Sequence, residues 1–154
     1  MSLEVGSVAP AFALPGAGGR DISLGALKGR KVVVYFYPKD DTSGCTRQAQ
    51  DFTALAAEFA AADTAVIGIS PDSPASKAKF AKKYNLGLAL AADEEKSVAK
   101  AYGVWVEKSM YGRKYMGVER TTFLIDRAGM IARVWPKVSV AGHVREVLDG
   151  AVAL

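Results

Sequence analysis

The run from Lys31 to Tyr37 (KVVVYFY) limits most tightly what this chain can fold into. Nearly every residue in it is β-branched or aromatic, and polar residues do not alternate with apolar ones. A strand with one wet face alternates; a run without alternation is buried on both faces. Such a strand lies inside a sheet, and both faces of that sheet must be covered. Pro38 has no N–H for a neighbouring strand and ends the run.

The following residues supply the cover. Cys45, Gln48, Phe52, Leu55, Ala56 and Phe59 recur at helical spacing and predict one helix. Ala65 to Ile69 (AVIGI) is a second buried strand. Asp72 or Ser73 is expected to cap a helix with Pro74 in its first turn. That helix carries Phe80, Ala81 and Tyr84 and ends near Asn85 or Gly87. Leu88 to Ala91 reads as a short strand, and Glu94 to Tyr102 as a short helix stopped at Gly103. Thr121 to Ile125 (TTFLI) is a strand that turns through Asp126-Arg127-Ala128-Gly129 and pairs with Met130 to Trp135. Ser139 is expected to cap a last helix with Val140, Val144, Val147, Leu148 and Ala151 on its apolar face. Before all of this, residues 5–30 read as short strands and a turn around Ala11-Phe12-Ala13-Leu14, Ile22 and Leu24.

Residues 105–120 have no firm period and read as strand and loop. Trp105, Tyr111, Tyr115 and Met116 within them read as core packing or loop anchors, ahead of a pocket mouth or a partner surface. Strand–helix–strand units come first and a hairpin with a helix comes last. The prediction is an α/β fold, a central mixed β-sheet flanked by helices on both faces, in a single domain over 1–154.

Composition narrows the function. The chain has 154 residues, a formal net charge of +4 and a single cysteine. Lys and Arg are scattered, with no basic block, so no nucleic-acid partner is expected. No apolar run is long enough to span a bilayer, and no membrane role is expected. The N-terminus lacks a signal-peptide pattern, and Met1-Ser2-Leu3 reads as a cloning remnant. One cysteine cannot form an internal disulfide framework, which fits a reducing, cytoplasmic setting.

Cys45 is predicted just after a central strand, in the first turn of a helix. Free N–H groups and a positive dipole end gather there. Both favour the thiolate, the nucleophilic form, and should lower the thiol's pKa. Gly44 lets backbone approach closely, so its N–H can donate to a substrate oxygen. Taken alone, Cys45 reads equally well as a buried core thiol. Its neighbours shift that balance. The Thr42 hydroxyl is donor and acceptor at once, able to hold a thiolate and a substrate oxygen, or to serve as the helix N-cap. Pro38 shields the sulfur from water or simply breaks the strand.

Pro38, Thr42 and Cys45 fit the Pro-x-x-x-Thr/Ser-x-x-Cys signature, and the chain resembles the peroxiredoxins along nearly its whole length. The segments that carry this are Val5-Gly6, Ala9-Pro10-x-Phe12-x-Leu14, residues 32–39, Gly68 to Ser73 and Arg120 to Asp126. Thr42-Ser43-Gly44-Cys45-Thr46 and Tyr102-Gly103-Val104-Trp105 resemble the bacterioferritin comigratory protein (PrxQ) branch. The resemblance implies a thioredoxin-like fold and a thiol-dependent peroxidase acting on hydrogen peroxide and organic hydroperoxides, with no metal or organic cofactor. It implies that Arg120 is the active-site arginine, stabilising the thiolate and orienting peroxide. By position alone Arg120 reads as a surface ion pair, with Glu119 as a candidate partner.

Many members of that branch have a second, resolving cysteine. One family location falls on Gln50 and the other, on the following helix, on Ala81; neither is Cys. The expectation is a one-Cys cycle regenerated by an external thiol: thioredoxin, glutaredoxin or glutathione. A monomer is expected, as is common in the branch. The rival reading is a non-catalytic thiol sensor or binding protein of the same fold. His143, the only histidine, reads as structural or solvated ahead of a Cys–His pair. Asp40 and Asp41 read as solvated turn residues ahead of a phosphotransferase nucleophile. Gln48 excludes a Cys-x-x-Cys redox motif, and no phosphate-binding glycine loop or dinucleotide fingerprint is present.

Overall fold

The computed structural model describes residues 3–154; Met1 and Ser2, part of the expected remnant, lie outside them. In chain order the strands and α-helices are β1 (Ala13–Pro15), β2 (Asp21–Ser23), β3 (Lys31–Phe36), α1 (Ser43–Ala54), α2 (Ala56–Ala61), β4 (Thr64–Ser70), α3 (Pro74–Tyr84), β5 (Ala89–Ala92), α4 (Ser97–Ala101), β6 (Trp105–Met110), β7 (Arg113–Val118), β8 (Thr121–Ile125), β9 (Ile131–Trp135) and α5 (His143–Ala153). The main sheet has the order β5-β4-β3-β8-β9. Its β3–β4 and β4–β5 pairs are parallel, while β3–β8 and β8–β9 are antiparallel. Every residue of β3 is buried, as its composition demands, and the strand sits at the centre.

Successive side chains of β3 point to opposite faces and so seed two cores. Val32, Val34 and Phe36 pack with Ile67, Phe123, Tyr102 and α4 on one face. Val33, Tyr35 and Tyr37 pack with Phe52, Phe59, Phe80 and Val147 of α1, α2, α3 and α5 on the other. This is the expected mixed sheet with helices on both faces, the thioredoxin-like arrangement that the resemblance implies. Gly68 has a packing reason: a Cβ there would come within 2.6 Å of the Tyr35 ring. That ring lies instead against Phe52, with centroids 4.5 Å apart. No described helix is long and apolar enough to cross a membrane.

Four readings need correction. The Cys45–Phe59 stripe forms two helices, broken at Leu55 (φ −102°, ψ 13°); nothing in the neighbouring contacts explains the break. The helix expected from Glu94 begins only at Ser97, because the buried Asp93 carboxylate accepts from the N–H groups of Val98 and Ala99 and Lys96 turns left-handed before it. Ser139 does not cap α5. Gly142 precedes that helix at φ 75°, in the left-handed region, and Val140 lies in the turn before it. Residues 105–118 form a β6–β7 hairpin turning at Tyr111-Gly112, both at positive φ. Tyr111 is 98% exposed, and Met110, Tyr115 and Met116 are exposed with it. Only Trp105 packs against the core as expected.

Candidate active site

α3 shows how closely local chemistry sets the frame: Ser73 Oγ caps it by accepting from Ser76 N, Pro74 opens it, and left-handed Asn85 ends it. α1 starts after Thr42, which has the extended backbone of an N-cap but makes no side-chain cap bond. The Thr42 hydroxyl donates instead to the Lys39 carbonyl at 2.9 Å, a contact that braces the turn. Among the described residues it makes no hydrogen bond to Cys45. The side chain is exposed, and its lone pairs remain able to accept. Pro38 is half-buried just past β3, after Tyr37 has given its N–H to the Ile69 carbonyl.

Cys45 lies in the first turn of α1 and is only 2% exposed. Arg120 lies at the β7–β8 junction, immediately before the strand that pairs with β3. Its Nη2 donates to Cys45 Sγ at 3.1 Å, and its Nη1 donates to Gln48 Oε1 at 2.6 Å. Cys45 and Gln48 are successive residues of one helix face, so a planar guanidinium spans both. Helical spacing puts Gln48 on the apolar stripe. Its fixed partner was not legible from spacing. Arg120 makes no ion pair with Glu119 or any other carboxylate among the described residues, which overturns its surface reading. The guanidinium thus gives the sulfur a fixed donor, with no carboxylate among the described residues competing for it. Gly44 leaves the space above the guanidinium open: a Cβ there would meet Arg120 Nη2 at 3.4 Å. Its φ is not positive, so the glycine is not a turn requirement. Two buried polar atoms on this face, Gln48 Nε2 and Tyr35 Oη, have no hydrogen-bond partner among the described residues. Burial first, and then Cys45 and Asp40, keep the Tyr35 phenol protonated far above its ordinary range.

His143 does not touch the sulfur. It is buried at the start of α5, with Nε2 2.9 Å from Thr122 Oγ1 and its ring edge-on to Trp135. Burial is the main cause that lowers its pKa to about 4, so the imidazole is neutral in the fold. The histidine protonates in the unfolded chain near its ordinary value of about 6.5. Its contribution is therefore complete above that value and is lost as pH falls towards 4. On lowering the pH from about 7 to about 4.5, the unfolding free energy is expected to drop by on the order of 2 kcal/mol more in the wild type than in His143→Gln. Parallel urea titrations check this; equal slopes would refute it.

Asp40 and Asp41 divide. Asp41 is exposed and paired with Lys83 and Tyr84, as a turn residue should be. Asp40 is buried, against expectation. It bonds the Tyr37 hydroxyl, Ser76 and the fully buried Lys77, which no sequence pattern had singled out. No group of three or more His, Cys, Asp or Glu able to hold a metal occurs among the described residues.

A helix-borne thiol held by an arginine from the β7–β8 junction, on a thioredoxin-like sheet, defines a class. Residues 5–134 match the AhpC/TSA family, and the chain belongs to that family. The putative peroxiredoxin bcp of Coxiella burnetii is 51% identical, covering 96% of this chain and 98% of its own. Peroxiredoxin Bcp of Bacillus subtilis is 45% identical over 97% of this chain and 95% of its own. The solved Xanthomonas campestris peroxiredoxin Q superposes with a TM-score of 0.88 at 40% identity, covering 92% of this chain and 90% of that one. Within the family these relatives place the chain in the Bcp/peroxiredoxin Q branch. It is an enzyme, a thiol-dependent peroxidase.

Proposed function

We propose that Cys45 is the peroxidatic cysteine of a one-Cys cycle. The single observation that carries this is the Arg120 Nη2–Cys45 Sγ contact in a chain with no second cysteine. The Cys45 thiolate attacks the terminal oxygen of hydrogen peroxide or an alkyl hydroperoxide. An S–O bond forms, the O–O bond breaks, and water or an alcohol leaves once the oxyanion takes a proton. Cysteine is oxidised to sulfenic acid as the peroxide is reduced. Arg120 holds the thiolate and the departing oxygen's charge. The Thr42 hydroxyl and the Gly44 N–H bind the peroxide, and Pro38 limits water at the sulfur. Gln48 fixes the guanidinium.

Gln50 and Ala81 occupy the places where other members carry a resolving thiol. Two solved structures of the Xanthomonas campestris protein are serine variants at two different cysteines, whereas this chain has one. An external thiol therefore attacks the sulfenic acid, water leaves, and a second thiol reduces the mixed disulfide. Thioredoxin, glutaredoxin and glutathione are the candidate reductants, in a monomer working in the cytoplasm. The test is peroxide consumption with each reductant in excess over enzyme. Sustained turnover with at least one of them is expected; a single stoichiometric event with all of them would refute the cycle.

A further inference from the structure

The loop between β3 and α1 is tied down by a buried cation that the chemistry above does not use. Lys77 of α3 has no solvent exposure. Its Nζ donates to Ser70 Oγ at 2.5 Å, Tyr37 Oη at 3.0 Å and Asp40 Oδ1 at 3.2 Å. Three donors thus meet three acceptors, and the ammonium is satisfied. Asp40 Oδ1 also accepts from the Tyr37 hydroxyl at 2.6 Å, and Oδ2 accepts from Ser76 Oγ at 2.8 Å. The Asp40 backbone N–H donates to Asp72 Oδ2 at 2.8 Å, which accepts from Ser70 Oγ at 2.7 Å as well. One cation therefore joins the end of β3, the end of β4, the start of α3 and the loop. Asp40 sits in that loop between Pro38 and Thr42, immediately before the Cys45 helix.

Stability alone is a poor reason for this arrangement. Burial pushes the Lys77 pKa down, although Asp40 opposes the shift. Apolar residues of similar volume commonly replace a buried ion pair at little or no cost, whereas removing one partner is expensive. Directional bonds from one ammonium to three separate elements fix positions in a way that apolar packing does not.

We propose that Lys77 is a positioning residue for the peroxidase reaction: through Asp40 it fixes the Pro38–Thr42 loop, and with it the first turn of the Cys45 helix, in the geometry that receives peroxide. The kinetic part rests on Cys45 being the attacking sulfur. The structural part concerns the reduced protein alone.

The test compares wild type with Lys77→Met in the reduced full chain. Three quantities are read: the rate constant for peroxide, the rate of Cys45 alkylation by iodoacetamide, and amide exchange across 39–44. Alkylation needs the thiolate but no aligned O–O bond. A misplacement of about 1 Å costs on the order of 100-fold in such a reaction, so the peroxide rate is expected to fall at least about tenfold while alkylation holds or rises. Asp40 amide exchange is expected to accelerate at least about tenfold, with β3 and β8 still protected. Ser76→Ala removes one contact to Asp40 at a half-buried position, and is expected to give the same pattern at smaller amplitude even if Lys77→Met fails to fold. Peroxide and alkylation rates falling together with the folded fraction would overturn the proposal. So would wild-type loop exchange in whichever variants fold. If the wild type itself ignored peroxide, the one-Cys reading would fail, and the exchange data would still decide whether Lys77 holds the loop.

Discussion

Cys45→Ser is expected to abolish peroxide consumption while leaving the fold intact. The substitution changes one atom at a site that is only 2% exposed, and a hydroxyl fits the space of a thiol. A serine hydroxyl is a far weaker nucleophile than a cysteine sulfur and has no sulfenic acid state, so the proposed reaction has no group to carry it. Arg120 can still donate to the hydroxyl oxygen, which keeps the β7–β8 junction in place. Peroxide loss followed against an enzyme-free control checks the activity, and a thermal melt checks the fold. Residual consumption above the control would show that another group does the chemistry.

Arg120→Met should be nearly as damaging. The guanidinium contributes a donor to Sγ at 3.1 Å, a donor to Gln48 at 2.6 Å, and a positive charge with no carboxylate paired to it among the described residues. Removing one preorganised donor that meets charge in a transition state costs about 10²–10³ in rate. The rate constant for peroxide is expected to fall by that factor. Arg120→Lys should recover only part, because a single ammonium cannot span both Cys45 and Gln48. Stopped-flow measurement of the peroxide step is the check. A Lys variant equal to wild type would mean that charge alone matters and the fork does not.

The sequence makes the frame legible where one physical rule acts alone. The unbroken apolar run at Lys31–Tyr37 demands a central strand, and Ser73-Pro74 with Asn85 brackets α3. The pairing of Cys45 with Arg120 comes only from family resemblance, since the two lie on different elements and no local rule joins them. Gln48 looked like part of an apolar stripe because spacing reports a face and not a partner. Lys77 and Asp40 were invisible because such side chains are almost never buried unless paired, and the pairing is tertiary. The β6–β7 hairpin gave no alternation because much of it faces solvent on both sides. Ser139 offered a good cap, but Gly142 takes the left-handed turn that starts α5.

The one-Cys cycle is tested most directly by the state of the sulfur after one equivalent of peroxide with no thiol added. Intact-protein mass spectrometry is predicted to show a monomer that has gained one oxygen, lost its free thiol, and regains that thiol when an external thiol is supplied. A disulfide-linked dimer, or a thiol still unmodified after peroxide, would contradict it.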